Sequence, residues 1–329
     1  MIRVYAPAID PRDLGKGQTR VGTNILVEDA EYVLCIDGRC GAAADRVVKR
    51  LHSIDKTKIL LLSHPHYDHY NGIDKYIDKY GDADVLICQN PASLNKKYSD
   101  EAKGNVEALE RIIAKAKKKG IRVIYATDGQ NFQYGDIEFT TYRDQPSSAR
   151  NTETYINAGS ICVWFSNIRL LYTGDTGADC AIEHDLHPAI ATGFHHDNWL
   201  RLVHAEWLKD NGCEYVWDDD YSVGITDFLS TGRENAKRAK MTVFLLHGDL
   251  NICCFSKKAN IYKGGEAYHY KCPYEGKPTF RGATLQSVAD VLEGKYGGGD
   301  ERVTGLLDHG FNPGSVQGWV NKLYRLVKG

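Results

Sequence analysis

The chain has 329 residues, enough for one large domain plus a small one, or for two of medium size. Hydrophobic residues at 42% and charged residues at 26% are ordinary for a globular protein, and a net charge of -2 shows none of the basic excess that nucleic-acid binding leaves. No stretch reaches the run of about 18 apolar residues that crosses a bilayer, and the start, MIRVYAPAIDPRD, lacks the basic and apolar regions of a signal peptide, so synthesis is expected to end in the cytoplasm. The nine cysteines are irregularly spaced and form no CxxC pair, which points to reduced, buried thiols.

In chain order, TNILVEDAEYVLCIDGRCG reads as two strands of a hairpin, the second ending at Asp37 and Gly38. AAADRVVKRLHSI has a helical pattern, and KILLLS is a short apolar run suited to a strand covered on both faces. A helix at GIDKYIDKY, a strand at ADVLICQN, an amphipathic helix at NVEALERIIAKAKKKG closed by Gly120, and a strand at IRVIYAT follow. From about residue 131 the pattern turns to β again, with FQYGDIEFTTYR and SICVWFSNIRLLYTGD, then a helix at HAEWLKDNG and strands at CEYVWDDD and MTVFLLHGD. Two halves that each open with hairpins and continue with alternating strands and helices imply a layered α/β domain over residues 1–252. Residues 253–283, rich in Tyr, Lys and Gly, read as a linker or an irregular, short-strand extension, and residues 284–329 as a separate module of three short helices, with Asp300 and Asn312 as N-caps.

The densest chemistry lies in LLLSHPHYDHYNG, residues 60–72. His64 and His66 share one side of an extended chain, Pro65 keeps that chain out of a helix, and Asp68 and His69 are expected in the turn before the GIDKY helix. Three imidazoles and a carboxylate at the end of a buried strand are the ligand types that zinc and its neighbours prefer.

SHPHYDHYNG matches the HxHxDH motif and thereby resembles the metallo-β-lactamase fold hydrolases. Asp37-Gly38, the TGD ending at Asp175, and GFHHDN at 193–198 resemble three further family elements, in the right order. The resemblance implies an αβ/βα sandwich with metal ions at its mouth. It implies that His64 and His66 bind one ion, that Asp68 and His69 bind another, that Asp175 bridges them, and that His195 or His196 completes the second site. His247, at the end of another apolar strand, is a rival late ligand. The implied cofactors are two divalent ions, zinc foremost and manganese as the alternative, whose bound water becomes a hydroxide nucleophile with Asp68 and His69 as catalytic groups.

One departure stands out, because no histidine occurs between His69 and His184, where many members carry a ligand. The Asn157–Ser160 segment, NAGS, resembles instead the nuclease-like domain of competence DNA-uptake proteins and the teichoic-acid phosphorylcholine esterases. Asp37 and Asn157 are candidate supports of the centre, and WDDDY offers Trp217, Asp219 and Tyr221 as candidates to line a substrate mouth.

The tail, SVADVLEGKYGGGDERVTGLLDHGFNPGSVQGWVNKLYRL, resembles the cell-wall-binding repeat of certain bacteriophage lysozymes, which implies peptidoglycan or its muropeptides as partner, with Tyr296, Asp300 and Arg302 as contacts. Together these readings give a metal-dependent hydrolase of phosphodiesters, directed to the bacterial wall and released by lysis or a phage route. The alternatives are a nuclease or nucleotide phosphodiesterase, with nucleic acid as substrate, and a non-catalytic wall-binding protein.

Overall fold

In the computed structural model, residues 1–9, 21–94, 100–143, 156–194, 200–218, 230–245, 249–264 and 266–328 are described. Two sheets stack face to face, each covered outside by helices, which gives the four-layer αβ/βα arrangement. The first sheet runs β1 (Ile2–Ala6), β2 (Ile25–Glu28), β3 (Tyr32–Ile36), β4 (Thr57–Leu61), β5 (Val85–Cys88) and β6 (Arg122–Tyr125), and on the other side of β1 it adds β14 (Leu250–Phe255), β15 (Lys258–Lys263) and β16 (Glu266–Lys271). The second sheet runs from β7 (Gln130–Tyr134) through β8 (Ile137–Tyr142), β9 (Cys162–Phe165), β10 (Leu170–Tyr172), β11 (Ile190–Thr192) and β12 (Tyr215–Asp218) to β13 (Thr242–Leu245).

The strand pattern explains the layering. In β3, Leu34 and Ile36 face the space between the sheets while Val33 and Cys35 face the helices α1 (Gly41–Ser53), α2 (Tyr67–Lys79) and α3 (Asp100–Lys118). β4 does the same with Ile59 and Leu61 inward and Leu60 outward, so the unbroken apolar run is needed on both faces. Helices α4 (Asp179–Glu183), α5 (Leu202–Asp210) and α6 (Ser230–Arg238) belong to the layer outside the second sheet, where the core is built from Leu171, Phe194, Leu208, Val216 and their neighbours. All nine cysteines are buried and none takes part in a disulfide.

Residues 253–283 are less of a linker than their composition implies. They hold the end of β14, all of β15 and all of β16, which extend the first sheet in antiparallel register, and only the stretch after Lys271 lacks regular strands and helices. Alternation explains it, since Ala259 and Ile261 are buried while Lys258, Asn260 and Tyr262, which alternate with them, are exposed or half-buried.

The tail forms α7 (Leu285–Leu292), α8 (Gly299–Asp308) and α9 (Pro313–Lys328) around a small core of Val288, Val291, Leu306, Val316 and Val320. Asn312 caps α9 by accepting from the Ser315 amide at 3.0 Å. Asp300 does not cap α8, because that helix opens earlier, with Gly298 as its N-cap, and Asp300 sits in its first turn. α8 packs on β14 and β15, so the module is docked on the sheet. Asp308 meets Arg3 at 2.7 Å and Arg50 at 2.6 Å, Thr304 joins Asp249 and Asn251, and Lys263 meets Asp300 at 3.1 Å.

Candidate metal centre

β4 ends at Leu61, and the chain bends at Ser63 and His64 before reaching His66, which is extended and is the N-cap of α2. Asp68 and His69 therefore lie in the first turn of α2, one turn earlier than the sequence implies, and Asp68 gains from the positive end of the helix. A pair of glycines sets how closely this helix approaches the end of β3. A Cβ on Gly72 would come within 2.0 Å of the Gly38 carbonyl oxygen, and one on Gly38 within 2.5 Å of the Ile73 nitrogen. The amide of Gly38 donates to the His69 carbonyl at 2.7 Å, and that of Gly72 to the Arg39 carbonyl at 3.2 Å. The short distance brings the His69 ring against Asp37.

Asp37 has φ of 54°, in the left-handed region, and is fully buried. Its Oδ1 accepts from the Ser63 amide at 2.8 Å. Its Oδ2 accepts from Ser63 Oγ at 2.6 Å, from Tyr172 OH at 2.5 Å and from His69 Nδ1 at 2.8 Å. Thr23 Oγ1 closes the group at 2.5 Å from Tyr172 OH. Because the Ser63 hydroxyl proton goes to Asp37, its oxygen is an acceptor for His64 Nδ1, 3.0 Å away. One carboxylate thus sets both imidazoles, directly for His69 and through Ser63 for His64, with Nδ1 protonated and Nε2 turned to the centre.

The centre itself joins His64, His66 and Asp175, each of which offers a ligand atom, all within 4.8 Å of one another. His66 Nδ1 lies 3.0 Å from His64 Nε2. Asp175 divides its oxygens, Oδ2 lying 3.5 Å from His64 Nε2 and Oδ1 3.2 Å from His69 Nε2. Asp68 Oδ2 is 4.0 Å from His69 Nε2. Burial, and then the neighbouring His69, lower the His64 pKa, while burial and then His64 lower that of His66 to about 3, so both rings are neutral, the form that binds a cation. At His69 burial opposes protonation, but Asp175, Asp37 and Asp68 outweigh it and hold the ring well above its ordinary value. Three carboxylates around one buried point make a field that a cation satisfies, and the mixed imidazole and carboxylate donors fit zinc or manganese.

The Asp175 turn is held from two sides. A Cβ on Gly174 would meet Ser160 and Ser63, and the Asp175 amide donates to Ser160 Oγ at 3.3 Å. Asn157 is wholly buried, and its carbonyl accepts from the Ser160 amide at 2.9 Å, so the NAGS backbone turn places the Ser160 hydroxyl that meets the Asp175 amide. The Phe194 amide donates to Thr173 Oγ1 at 2.6 Å, so the chain leaves toward residue 195 from beside the same turn.

His195 and His196 lie outside the described residues, as do Asp219, Tyr221 and His247. Trp217 does not reach a substrate mouth, because β12 turns it into the core between the sheets, where it is fully buried. In the module, Tyr296 packs on His309 with ring centroids 5.2 Å apart, Asp300 meets Lys263, and Arg302 donates to Gln317 at 3.1 Å and to the Gly297 carbonyl at 3.2 Å. Ser63, Thr23 and Tyr172 were not singled out in the sequence. The available signal was a tyrosine at a core-facing position of LLYTGD, whose hydroxyl needs a buried acceptor.

A family model described as the anti-Pycsar protein Apyc1 matches residues 15–209, and the CW_7 repeat model matches residues 286–324. No curated protein matches the chain in sequence. Among solved structures, the metallo-beta-lactamase fold protein YhfI from Bacillus subtilis is similar at 14% identity, over 74% of this chain and 96% of that one, with a TM-score of 0.48. The flavodiiron protein from Giardia intestinalis is similar at 13% identity, over 72% of this chain and 57% of that one, with a TM-score of 0.41. Rm3 metallo-beta-lactamase is similar at 12% identity, over 67% and 87%, with a TM-score of 0.34.

Proposed function

The chain belongs to the family of the anti-Pycsar protein Apyc1, and on that footing we propose that it is a metal-dependent phosphodiesterase that its C-terminal module carries to the bacterial cell wall. The observation that carries the reading is the divided carboxylate of Asp175, one oxygen toward His64 and one toward His69, which is the posture of a bridge between two cation positions. His64, His66 and Asp175 would hold one ion, and Asp68, His69 and Asp175 a second, zinc or manganese, with His195 or His196 as the late ligand. Bound there, the ions would acidify a water molecule and neutralise charge on a phosphoryl oxygen.

The chain's own groups divide the remaining work. Asp68 keeps a fifth of its side chain exposed, so its carboxylate can accept a proton from the attacking water and aim it. His69 is sealed from solvent with Nδ1 on Asp37, which makes it a holder of charge rather than a carrier of protons. A phosphodiester, whose two non-bridging oxygens share one negative charge, suits two adjacent cation positions better than a single polarised carbonyl does. Tyr296 and Arg302 are the wall-contact residues of this reading, with Asp300 beside them on Lys263, and lysis or a phage-like release would bring the protein to the wall.

Full-length protein loaded with zinc or manganese should cleave bis-p-nitrophenyl phosphate, and Asp68→Ala or His69→Ala should abolish cleavage. Retained activity in both variants would sink the assignment. A panel of teichoic-acid diesters, nucleotide diesters and DNA then sets the substrate class, and a clear preference for the nucleotides would replace the wall polymer. Sedimentation with purified sacculi, for the wild type and for Arg302→Ala, tests the wall partner separately.

A further inference from the structure

The last helix has a second face that the bundle does not use. α9 buries Val316 and Val320 against the module core, yet Trp319, Leu323 and Leu326, spaced as i, i+4 and i+7, are 52%, 38% and 79% exposed. Every residue from Asn321 to Leu326 is exposed, so these turns overhang the bundle. α7, which packs against α9, carries two further exposed leucines, Leu285 and Leu292. An exposed apolar stripe such as that of α9 marks a contact site.

Charge on the same helix has one sign. Pro313–Lys328 carries Lys322, Arg325 and Lys328 and no Asp or Glu, although acidic residues outnumber basic ones, 43 to 41, in the whole chain. The Lys322 ammonium stands 4.6 Å from the centroid of the Trp319 ring, so cation and indole share one level. Indole and leucine on one side with basic groups beside them is the composition of a helix that lies in a headgroup layer. Among the described residues no helix is long and apolar enough to cross a membrane.

We propose that α9 docks the protein on an anionic lipid surface, with Trp319, Leu323 and Leu326 in the headgroup boundary and Lys322 and Arg325 on the phosphates. A second copy of the chain is a poorer occupant, because a symmetric contact would set two basic helices against each other. A wall sugar would use the Trp319 face but gains little from Leu323 and Leu326. The surface shares no residue with the metal centre or with the wall-contact set, although Arg302 reaches the same helix through Gln317.

The test is co-sedimentation of full-length protein with vesicles of phosphatidylcholine alone and of phosphatidylcholine mixed with phosphatidylglycerol, at about 0.15 M salt. Binding is expected only with phosphatidylglycerol present, weakening as salt rises. Lys322→Glu with Arg325→Glu, and separately Leu326→Ser, should each cut the bound fraction about tenfold, from exposed positions that leave the fold intact. No binding, equal binding to neutral vesicles, or variants that bind as the wild type does would overturn the proposal. A concentration-dependent dimer abolished by Leu326→Ser, without vesicle binding, would reassign the face to self-association.

Discussion

Asp37 and Asp308 both sit where two parts of the molecule meet, and both are gripped by several donors, but the donors differ in kind. Around Asp37 they are an amide, two hydroxyls and an imidazole, all sealed in the core between the layers. Around Asp308 they are two guanidinium groups, Arg3 at 2.7 Å and Arg50 at 2.6 Å, at a cleft that keeps about a quarter of the carboxylate side chain exposed. The amide and hydroxyl donors fix the orientation of Asp37 without cancelling its charge, whereas the two guanidinium groups cancel that of Asp308 and hold two bodies together. The first arrangement serves a site and the second serves a joint.

Removing Asp37 should have the largest effect. Asp37→Ala leaves the Ser63 hydroxyl, Tyr172 hydroxyl and His69 Nδ1 without their common acceptor, and each stranded buried group costs about 1–3 kcal/mol. Chelator competition should show metal affinity falling about 10–100-fold, as for other lost partners of metal-bound histidines. Unchanged affinity would mean that the imidazoles are oriented by something else. Asp308→Ala should instead cost about 1.5–3 kcal/mol in thermal unfolding, the worth of a hydrogen bond to a charged group, since the almost wholly buried Arg3 loses this carboxylate but keeps Glu28 at 3.3 Å and Asn251 at 2.7 Å, while metal affinity stays at the wild-type value.

Acid separates the two further. Burial opposes ionisation of Asp308, but the hydrogen bond from Arg50 and the charges of Arg3 and Arg50 outweigh it and hold the carboxyl below its ordinary value. A group whose pKa is lower when folded contributes stability that is complete above the unfolded value and is lost as pH falls through the folded one. The melting midpoints of wild type and Asp308→Asn should therefore differ most at neutral pH and converge below about pH 4. A constant gap across that range would show that the joint does not depend on the charge.

The two carboxylates also differ in how legible they were. The layered fold could be read because apolar runs such as KILLL are long enough to need cover on both faces, and the gathering of His64, His66 and Asp175 could be anticipated because ligand types crowd at strand ends. Asp37 was visible as a strand-ending DG, but its partner Tyr172 was not, since it comes from β10 in the other sheet and meets Asp37 only once the sheets stack. Asp308 gave no signal, because its partners Arg3 and Arg50 are hundreds of residues away and the tail read as a free module. Trp217 misled for a related reason, since alternation along β12 decides which side of the sheet it faces and an apolar run does not reveal it.

The smallest expected effect tests the finest part of the contrast. Gly72→Ala should first show the scale of a steric change at the hub, because its Cβ would press on the Gly38 carbonyl and cost about 1–3 kcal/mol. Tyr172→Phe changes no volume of note and removes one donor, so Asp37 keeps Ser63 and His69 while Thr23 loses a partner. The loss in stability should be about 1 kcal/mol, the net worth of a single hydrogen bond. If orientation by neutral donors is what matters, metal affinity should fall only slightly, because the Nδ1 contact of His69 survives. A fall as deep as that of Asp37→Ala would show that the tyrosine, and not the carboxylate alone, sets the imidazoles.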